Sequence, residues 1–380
     1  MSDVLERLGR PPAVAALDGE DAVYVVGGAV RDLLLGRTPR ELDFVVEGDA
    51  LPVARRAAER AGGRVTAHER FGTATVTAPD TTFDLAGARR ERYPRPGALP
   101  EVELGASLRE DLERRDFTVN AIALHLADGE LVWLPGSQED LAAGRLRVLH
   151  DGSFRDDPTR MLRLARYAAR LGFEPDPHTA GLVDPALLST VTGSRLGAEL
   201  RLLLGEPQPA ALLALERHGL GRALLGDGFK VDPDLVTRVQ QLTPPAGRAD
   251  LAALAASLSE VERRALDDLA FPAPEREVVV RAAGADPLRA APDEELWRRL
   301  RREPAEAVAV AGARGDAAAA QRWLDQVRYR RLEITGDDVV AAGLSGPAVG
   351  TALEAAMEAM LRGEAPDRDA QLAAALRPRA

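Results

Sequence analysis

Hydrophobic positions follow two regimes along the chain. In residues 1–147 short apolar runs alternate with glycine, proline and charge, whereas beyond Ser194 alanine, leucine and arginine recur at helical spacing. Val23–Val26 is a β-rich run that predicts a buried strand, closed by Gly27-Gly28. Residues 29–36 predict a short helix with Arg31 and Asp32 in its first turn, and residues 42–46 a second strand. Residues 3–20 predict a helix packed on the first strand, and residues 51–61 another that stops at Gly62-Gly63. Residues 65–68 and 73–77 read as a hairpin with Phe71-Gly72 in its turn, and Phe83-Asp84-Leu85 as a third short strand. Residues 87–113, rich in glycine, proline and charge, read as a long mobile loop. The fold class is α+β: a head with a small mixed sheet, then helices broken at Pro207-Gln208-Pro209, Pro244-Pro245-Ala246-Gly247 and Pro272-Ala273-Pro274.

The strand pattern gives chemistry to the acids. Glu41 and Asp43 are two residues apart, so on a strand they share a face while Leu42 and Phe44 point to the core. Two carboxylates at that spacing suit Mg²⁺, which prefers hard oxygens and shares its shell with substrate phosphates. Gly27-Gly28 and the helix start after it offer backbone N–H groups to phosphate at the same edge. Asp84 faces opposite to Phe83 and Leu85 and is a candidate third carboxylate, as two-metal phosphoryl or nucleotidyl transfer requires. Taken singly, Glu41 and Asp43 read more readily as a polar sheet edge and Gly27-Gly28 as a common turn, while Asp84 reads equally well as a solvated strand residue. Together in one unit they favour a site.

Three later stretches extend it. In Arg114-Arg115-Asp116-Phe117-Thr118-Val119-Asn120-Ala121, Arg115 is placed to meet a triphosphate and Asp116 and Asn120 a ribose hydroxyl; a surface charge cluster is the alternative. Beyond Pro158, Arg160, Arg163, Arg166 and Arg170 recur three and four residues apart and line one helix face. Such a ridge is usually a solvated face, but Asp157 and Arg160 at its start can together present the donor and acceptor pattern of a base edge. The glycines near residues 343–350 read first as a helix–helix turn and only second as a phosphate loop. His150-Asp151 has no partner histidines at ligand spacing and reads as structural.

Composition narrows the partners. The net charge of −11 argues against a generally basic nucleic-acid coat. The cations are arginines, with Lys230 the only lysine, so the better bidentate partner for phosphate and base edges stands wherever a cation is used. Zero cysteines exclude disulfides and thiolate metal sites. With no long apolar run and no basic-then-apolar leader, no membrane span is expected, and the expectation is a cytoplasmic protein.

The ordered set resembles the class II tRNA nucleotidyltransferases, the bacterial CCA-adding enzymes and their poly(A) polymerase relatives. Gly27-Gly28-Ala29-Val30-Arg31-Asp32 with Glu41-Leu42-Asp43-Phe44 is similar to the family's first motif, and residues 114–121 to its second. Asp156-Asp157-Pro158-Thr159-Arg160 resembles the nucleobase-selecting motif, and Ser194-Arg195-Leu196-Gly197-Ala198-Glu199 the helical motif after it. The resemblance covers nearly the whole chain. It implies a polymerase-β-type nucleotidyltransferase head over residues 1–147, a nucleotide-selecting helical neck over 148–205, a helical body over 206–320 and a helical, tRNA-binding tail over 321–380. It implies Mg²⁺ at Glu41 and Asp43, with Asp84 as third carboxylate. Gly27, Gly28, Arg31, Arg115, Asp116, Asn120, Asp157, Arg160, Arg163 and Arg166 are implied for CTP or ATP, and the tRNA 3′ end as the other substrate. Asp157 and Arg160 would select C or A.

Two departures stand out: Glu41 replaces the usual Asp, and Val132-Trp133-Leu134-Pro135 replaces an Asp-Pro segment, though Asp140 remains. Three activities stay open: complete CCA addition; partial addition or poly(A) synthesis; and tRNA binding without catalysis. The length of the 87–113 segment weighs against CC-only addition, because CC-only members of the family have a shortened loop there.

Overall fold

The computed structural model describes residues 3–68, 72–259 and 263–377. The chain divides into two compact units, Met1–Glu206 and Pro207–Ala380. The first unit opens with α1 (Asp3–Leu8) and α2 (Pro12–Ala16) rather than one helix over 3–20. Pro11-Pro12 explains the break: proline lacks the N–H that continues a helix yet suits the first position of a new one.

Next come β1 (Val23–Val26), α3 (Gly28–Leu34), β2 (Asp43–Val46) and α4 (Ala50–Ala61). The Asp49 side chain caps α4 by accepting from Leu51 N at 2.9 Å, and Gly62, at φ +63°, ends it. Then follow β3 (Arg64–His68), β4 (Thr73–Ala78) and β5 (Thr81–Gly87). β3 and β4 pair antiparallel as the hairpin reading expects; Phe71 of its turn lies outside the described residues.

The segment 87–113 is not a loop. It forms a second hairpin, β6 (Arg89–Arg92) with β7 (Glu101–Leu104), followed by α5 (Leu108–Glu113) in a Ser107–Glu110 capping box. Its charges made it look unstructured, but the antiparallel register sets Arg90 opposite Glu103 at 3.1 Å, and Arg90 also reaches Glu110 at 2.7 Å.

β8 (Ile122–His125), β9 (Leu131–Trp133) and α6 (Ser137–Ala143) follow, with the short β10 (Arg145–Leu146), α7 (Ser153–Asp156) and α8 (Thr159–Leu171). α9 (Pro177–Gly181) and α10 (Gly193–Leu204) complete the unit. The main sheet runs β3-β4-β5-β2-β1-β8-β9, and within it only β2 and β5 are parallel. Val23, Val25, Phe44, Val76, Leu85, Ile122 and Leu124 are buried in this sheet, with Phe44 edge-on to Phe83 at 5.5 Å. The parallel register sets Asp43 beside Asp84 and Phe44 beside Leu85. Glu41 stands two residues ahead of β2, not on it, which corrects the reading of both acids as strand residues.

The described residues of the second unit are helical apart from an isolated bridge, Phe229 to Leu258. The first two proline breaks fall between helices and the third starts the helix Ala273–Ala283, while Gly343 and Gly346, both at positive φ, turn the chain from the helix Gly336–Ala341 to Pro347–Leu361. No helix among the described residues is long and apolar enough to cross a membrane.

Asp140 ties the head together. It is fully buried and accepts from Thr118 Oγ1 at 2.8 Å, Arg145 Nε at 3.1 Å and Arg147 Nη2 at 3.0 Å. Removing a buried acid strands its partners, so Asp140→Ala is expected to destabilise the first unit by about 3 kcal/mol, measured by urea denaturation. An unchanged midpoint would remove Asp140 from this role.

Candidate functional site

One cleft of about 870 Å³ gathers most of the chemistry of the first unit. Its walls come from the β1–α3 turn, residues 40–43, the loop end of the β6–β7 hairpin, residues 114–120, α8 and α10. Ten arginines and eight carboxylates line it. The helical spacing of Arg160, Arg163, Arg166 and Arg170 is the reason all four reach the same cleft.

Gly27 caps α3 at φ +69°, and a Cβ there would fall 2.9 Å from Arg115 Nη1. The positive φ is what favours glycine here, and the Arg115 guanidinium lies over the turn. Arg115 donates to Asp111 Oδ2 at 2.9 Å, while its buried Nε has no partner.

Arg31 is turned inward, 1 % exposed. It donates to Asp32 Oδ1 at 2.9 and 2.7 Å and to Asn120 Oδ1 at 2.5 Å. The Asn120 amide in turn donates to Asp116 Oδ1 at 2.9 Å. Asp116 also accepts from the Phe117 N–H and from Arg163, whose Nε and Nη2 lie 2.8 and 2.6 Å from Oδ2. Burial alone would raise the Asp116 carboxyl, but Arg163 and Asn120 outweigh it and hold it at about 2. Arg31, Asp116 and Asn120 thus line the cleft but commit most of their polar atoms to one another; what they set is the position of Arg163.

Arg160 is buried and anchored to Ser153 Oγ at 2.7 Å and to the Arg114 carbonyl at 2.6 Å, with Tyr93 6.0 Å from its guanidinium. Asp157 accepts on Oδ1 from Thr159 N and Oγ1 and from Arg195 Nη2 at 3.0 Å. The two are fixed from different directions rather than bonded to each other. Arg195 also donates to the Gly97 carbonyl at 2.9 Å, so it ties the hairpin tip to Asp157.

Glu41 and Asp43 line the cleft; Asp84 does not. Asp84 sits beside Asp43 by register and accepts from Thr75 Oγ1 at 2.5 Å. Burial raises the Asp43 carboxyl, Arg115 opposes that, and the negative charges of Glu41 and Asp84 raise it further. Crowded carboxylates that repel one another are suited to a hard divalent cation. Among the described residues no group of three or more His, Asp or Glu is arranged as a ready metal cage. The donor set fits an ion held by two carboxylates, with the rest of its shell left to phosphate oxygens.

Sequence reasoning missed Tyr93, Arg114, Tyr167, Arg195 and Glu199 as lining residues. Tyr167 lies within the arginine ridge, between Arg166 and Arg170, whereas Arg195 and Glu199 stand in a motif quoted for its resemblance and only the fold brings them to the same space.

Residues 23–147 match the poly A polymerase head domain family. The A-adding tRNA nucleotidyltransferase of Geobacter sulfurreducens is 35% identical over 397 residues, covering 93% of this chain and 45% of that protein. The CC-adding tRNA nucleotidyltransferase of Deinococcus radiodurans is 43% identical over 245 residues, covering 62% of this chain and 65% of that protein. The chain thus spans about half to two thirds of the length of these curated relatives. Among solved structures, a CCA-adding enzyme in an apo form superposes with TM-score 0.82 at 26% identity, covering 98% of this chain and 95% of its own. The Thermotoga maritima CCA-adding enzyme complexed with tRNA gives TM-score 0.79 at 25% identity, covering 99% and 98%.

The depressed Asp116 carboxyl makes a pH prediction. Its folded value lies below its unfolded one, so the stability it contributes is complete above the unfolded value near ~4 and is lost as pH falls through the folded value. Asp116→Asn is expected to cost about 3 kcal/mol at neutral pH, and the gap from wild type to close below pH ~4. Denaturation curves across the acid range measure this; a gap that persists undiminished at low pH would contradict it.

Proposed function

We propose that this chain, which belongs to the class II tRNA nucleotidyltransferases, extends the 3′ end of tRNA with nucleotides from CTP and ATP. The observation that carries the reading is the single cleft in which Glu41 and Asp43, the Gly27-Gly28 turn, the arginine ridge and the Asp157–Arg160 pair all meet. In the reaction the terminal 3′-hydroxyl oxygen bonds to the α-phosphorus of the nucleotide, the bond from that phosphorus to the bridging oxygen breaks, and pyrophosphate leaves. The hydroxyl proton is released as the new bond forms.

The chain's own groups place the reactants. Arg115 over the turn, with Arg166 from α8, supplies donors for the triphosphate, and Arg163, whose donors are already engaged, adds its positive charge. Asp157 and Arg160, each anchored by other bonds, present a fixed acceptor and fixed donors to the base edge. Asp116 and Asn120 act by holding Arg163 and Arg31 rather than by spending their own oxygens on a ribose. Glu41 and Asp43 would hold the divalent metal that such nucleotidyltransferases use, taken here as Mg²⁺, which when bound stabilises the charge developing on phosphate oxygens. Glu41 keeps the carboxylate one methylene farther from the backbone than Asp would.

The product is proposed to be the complete CCA end. Addition of A alone is the second reading, favoured by the likeness to an A-adding relative over 93% of this chain. Incubating the chain with one defined tRNA lacking CCA, and with CTP alone, ATP alone or both, reads the product on a sequencing gel. Three residues added with both nucleotides support the first reading; one A added from ATP to the same tRNA ending in CC, with the tRNA lacking CCA left unextended, supports the second; no extension of either tRNA refutes both.

Two substitutions sharpen this. Asp43→Ala is expected to lower kcat by on the order of 10³-fold while nucleotide still binds; full activity in the variant would remove Asp43 from the metal-holding role. Arg160→Ala is expected to reduce discrimination between CTP and UTP by about tenfold. Wild-type discrimination in that variant would remove the base-reading role.

A further inference from the structure

Among the arginines of the cleft, Arg166 is bound in a different way. It is 9 % exposed, yet its buried Nε has no partner and no hydrogen bond fixes its guanidinium; the nearest carboxylate, Glu199, stands 3.5 Å away. Arg31 and Arg163 contrast with it, since both spend their donors on Asp32, Asn120 and Asp116. What holds Arg166 is the ring of Tyr167, 4.9 Å from the guanidinium carbon. Arg31 and Arg163 also face that ring, at 5.2 and 5.6 Å. Three like charges can crowd one ring because its face is negative and the neighbouring acids balance them. The ring is fixed from behind by Phe117, edge-on at 5.9 Å, and by its own hydroxyl, which accepts from Arg163 Nη2 at 3.2 Å.

A buried guanidinium with unspent donors is costly unless something completes it. We infer that Tyr167 is a positioning residue that stores Arg166 with its hydrogen-bond donors free, so that an incoming polyphosphate completes them. A ring can attract a cation without using an N–H, whereas a carboxylate in the same place would spend the donors the ligand needs. The ring touches no substrate in this account and acts only through the cations on its face. The inference rests on the cleft being the nucleotide site but not on what is added to tRNA.

The test is equilibrium binding to the full chain, with inorganic tripolyphosphate, CTP and CMP as probes. Tyr167→Leu is expected to weaken tripolyphosphate and CTP by about tenfold and CMP by no more than about twofold, because CMP lacks the outer phosphates that would complete the Arg166 donors. Tyr167→Phe keeps the ring and is expected to recover most of the binding. Tyr167→Met, close in length and without a ring, repeats the first measurement should the leucine variant fail to fold, and thermal melting checks both. Wild-type affinity for tripolyphosphate in the leucine and methionine variants, an equal loss for CMP, or a phenylalanine variant as weak as leucine would each overturn the inference. An unaltered chain that binds none of the probes would overturn this and the nucleotide-site reading together. Binding that behaves as expected in a chain that never extends tRNA would leave the inference standing and sink only the proposed activity.

Discussion

Ten arginines cannot share one cleft without counter-charge, and the way that charge is supplied governs the site. Asp116 is the clearest case. Buried, it would be costly as an anion, but Arg163, Asn120 and the Phe117 N–H together keep it ionised. The same logic joins Asp32 to Arg31 and Arg170, Asp111 to Arg114 and Arg115, and Glu199 to Arg163 and Arg166. Each acid removes a share of repulsion and fixes a direction, so the remaining donors point to the cavity before any ligand arrives. That is preorganisation in the electrostatic sense: the arrangement is settled during folding and need not be made at the moment of reaction.

The scaffold beneath this lattice is economical. One strand carries Asp43 on its cleft side and Phe44 on its core side, so the period of the strand alone separates chemistry from packing. α8 does the same with a helical period: Met161, Leu162, Leu164 and Ala165 are buried apolar contacts while the arginines three and four apart line the cleft. The β6–β7 hairpin adds a third wall. Through Tyr93 over Arg160 and through Arg195 between Gly97 and Asp157, it reaches both Arg160 and Asp157.

Patterns of short range were legible in the chain itself. Val23–Val26 as a strand, the β3–β4 hairpin, the helix ended by Gly62, the arginine ridge and the helix–helix turn at the late glycines all depend on neighbours within a few residues, and each stands in the structure much as read. The errors have the same kind of cause. The split at Pro11-Pro12 followed from local chemistry that a longer helical pattern masked. The 87–113 hairpin was hidden because its charges make sense only once Arg90 faces Glu103 across two strands.

What the sequence determined by itself, then, is which residue types stand on which face of each element: carboxylates beside a glycine turn, arginines along one side of a helix, apolar side chains opposite. What only the tertiary structure decided is how those side chains spend their hydrogen bonds. Arg31, Asp116 and Asn120 looked alike as ligand residues, yet folding turned them toward each other, brought Glu199 to the arginines of α8 and Arg31 to Tyr167, and set Asp84 beside Asp43 but outside the cleft. The physical reason is range: periodicity fixes direction within one element, whereas the pairing of a donor with an acceptor depends on elements far apart in the chain that meet only after folding.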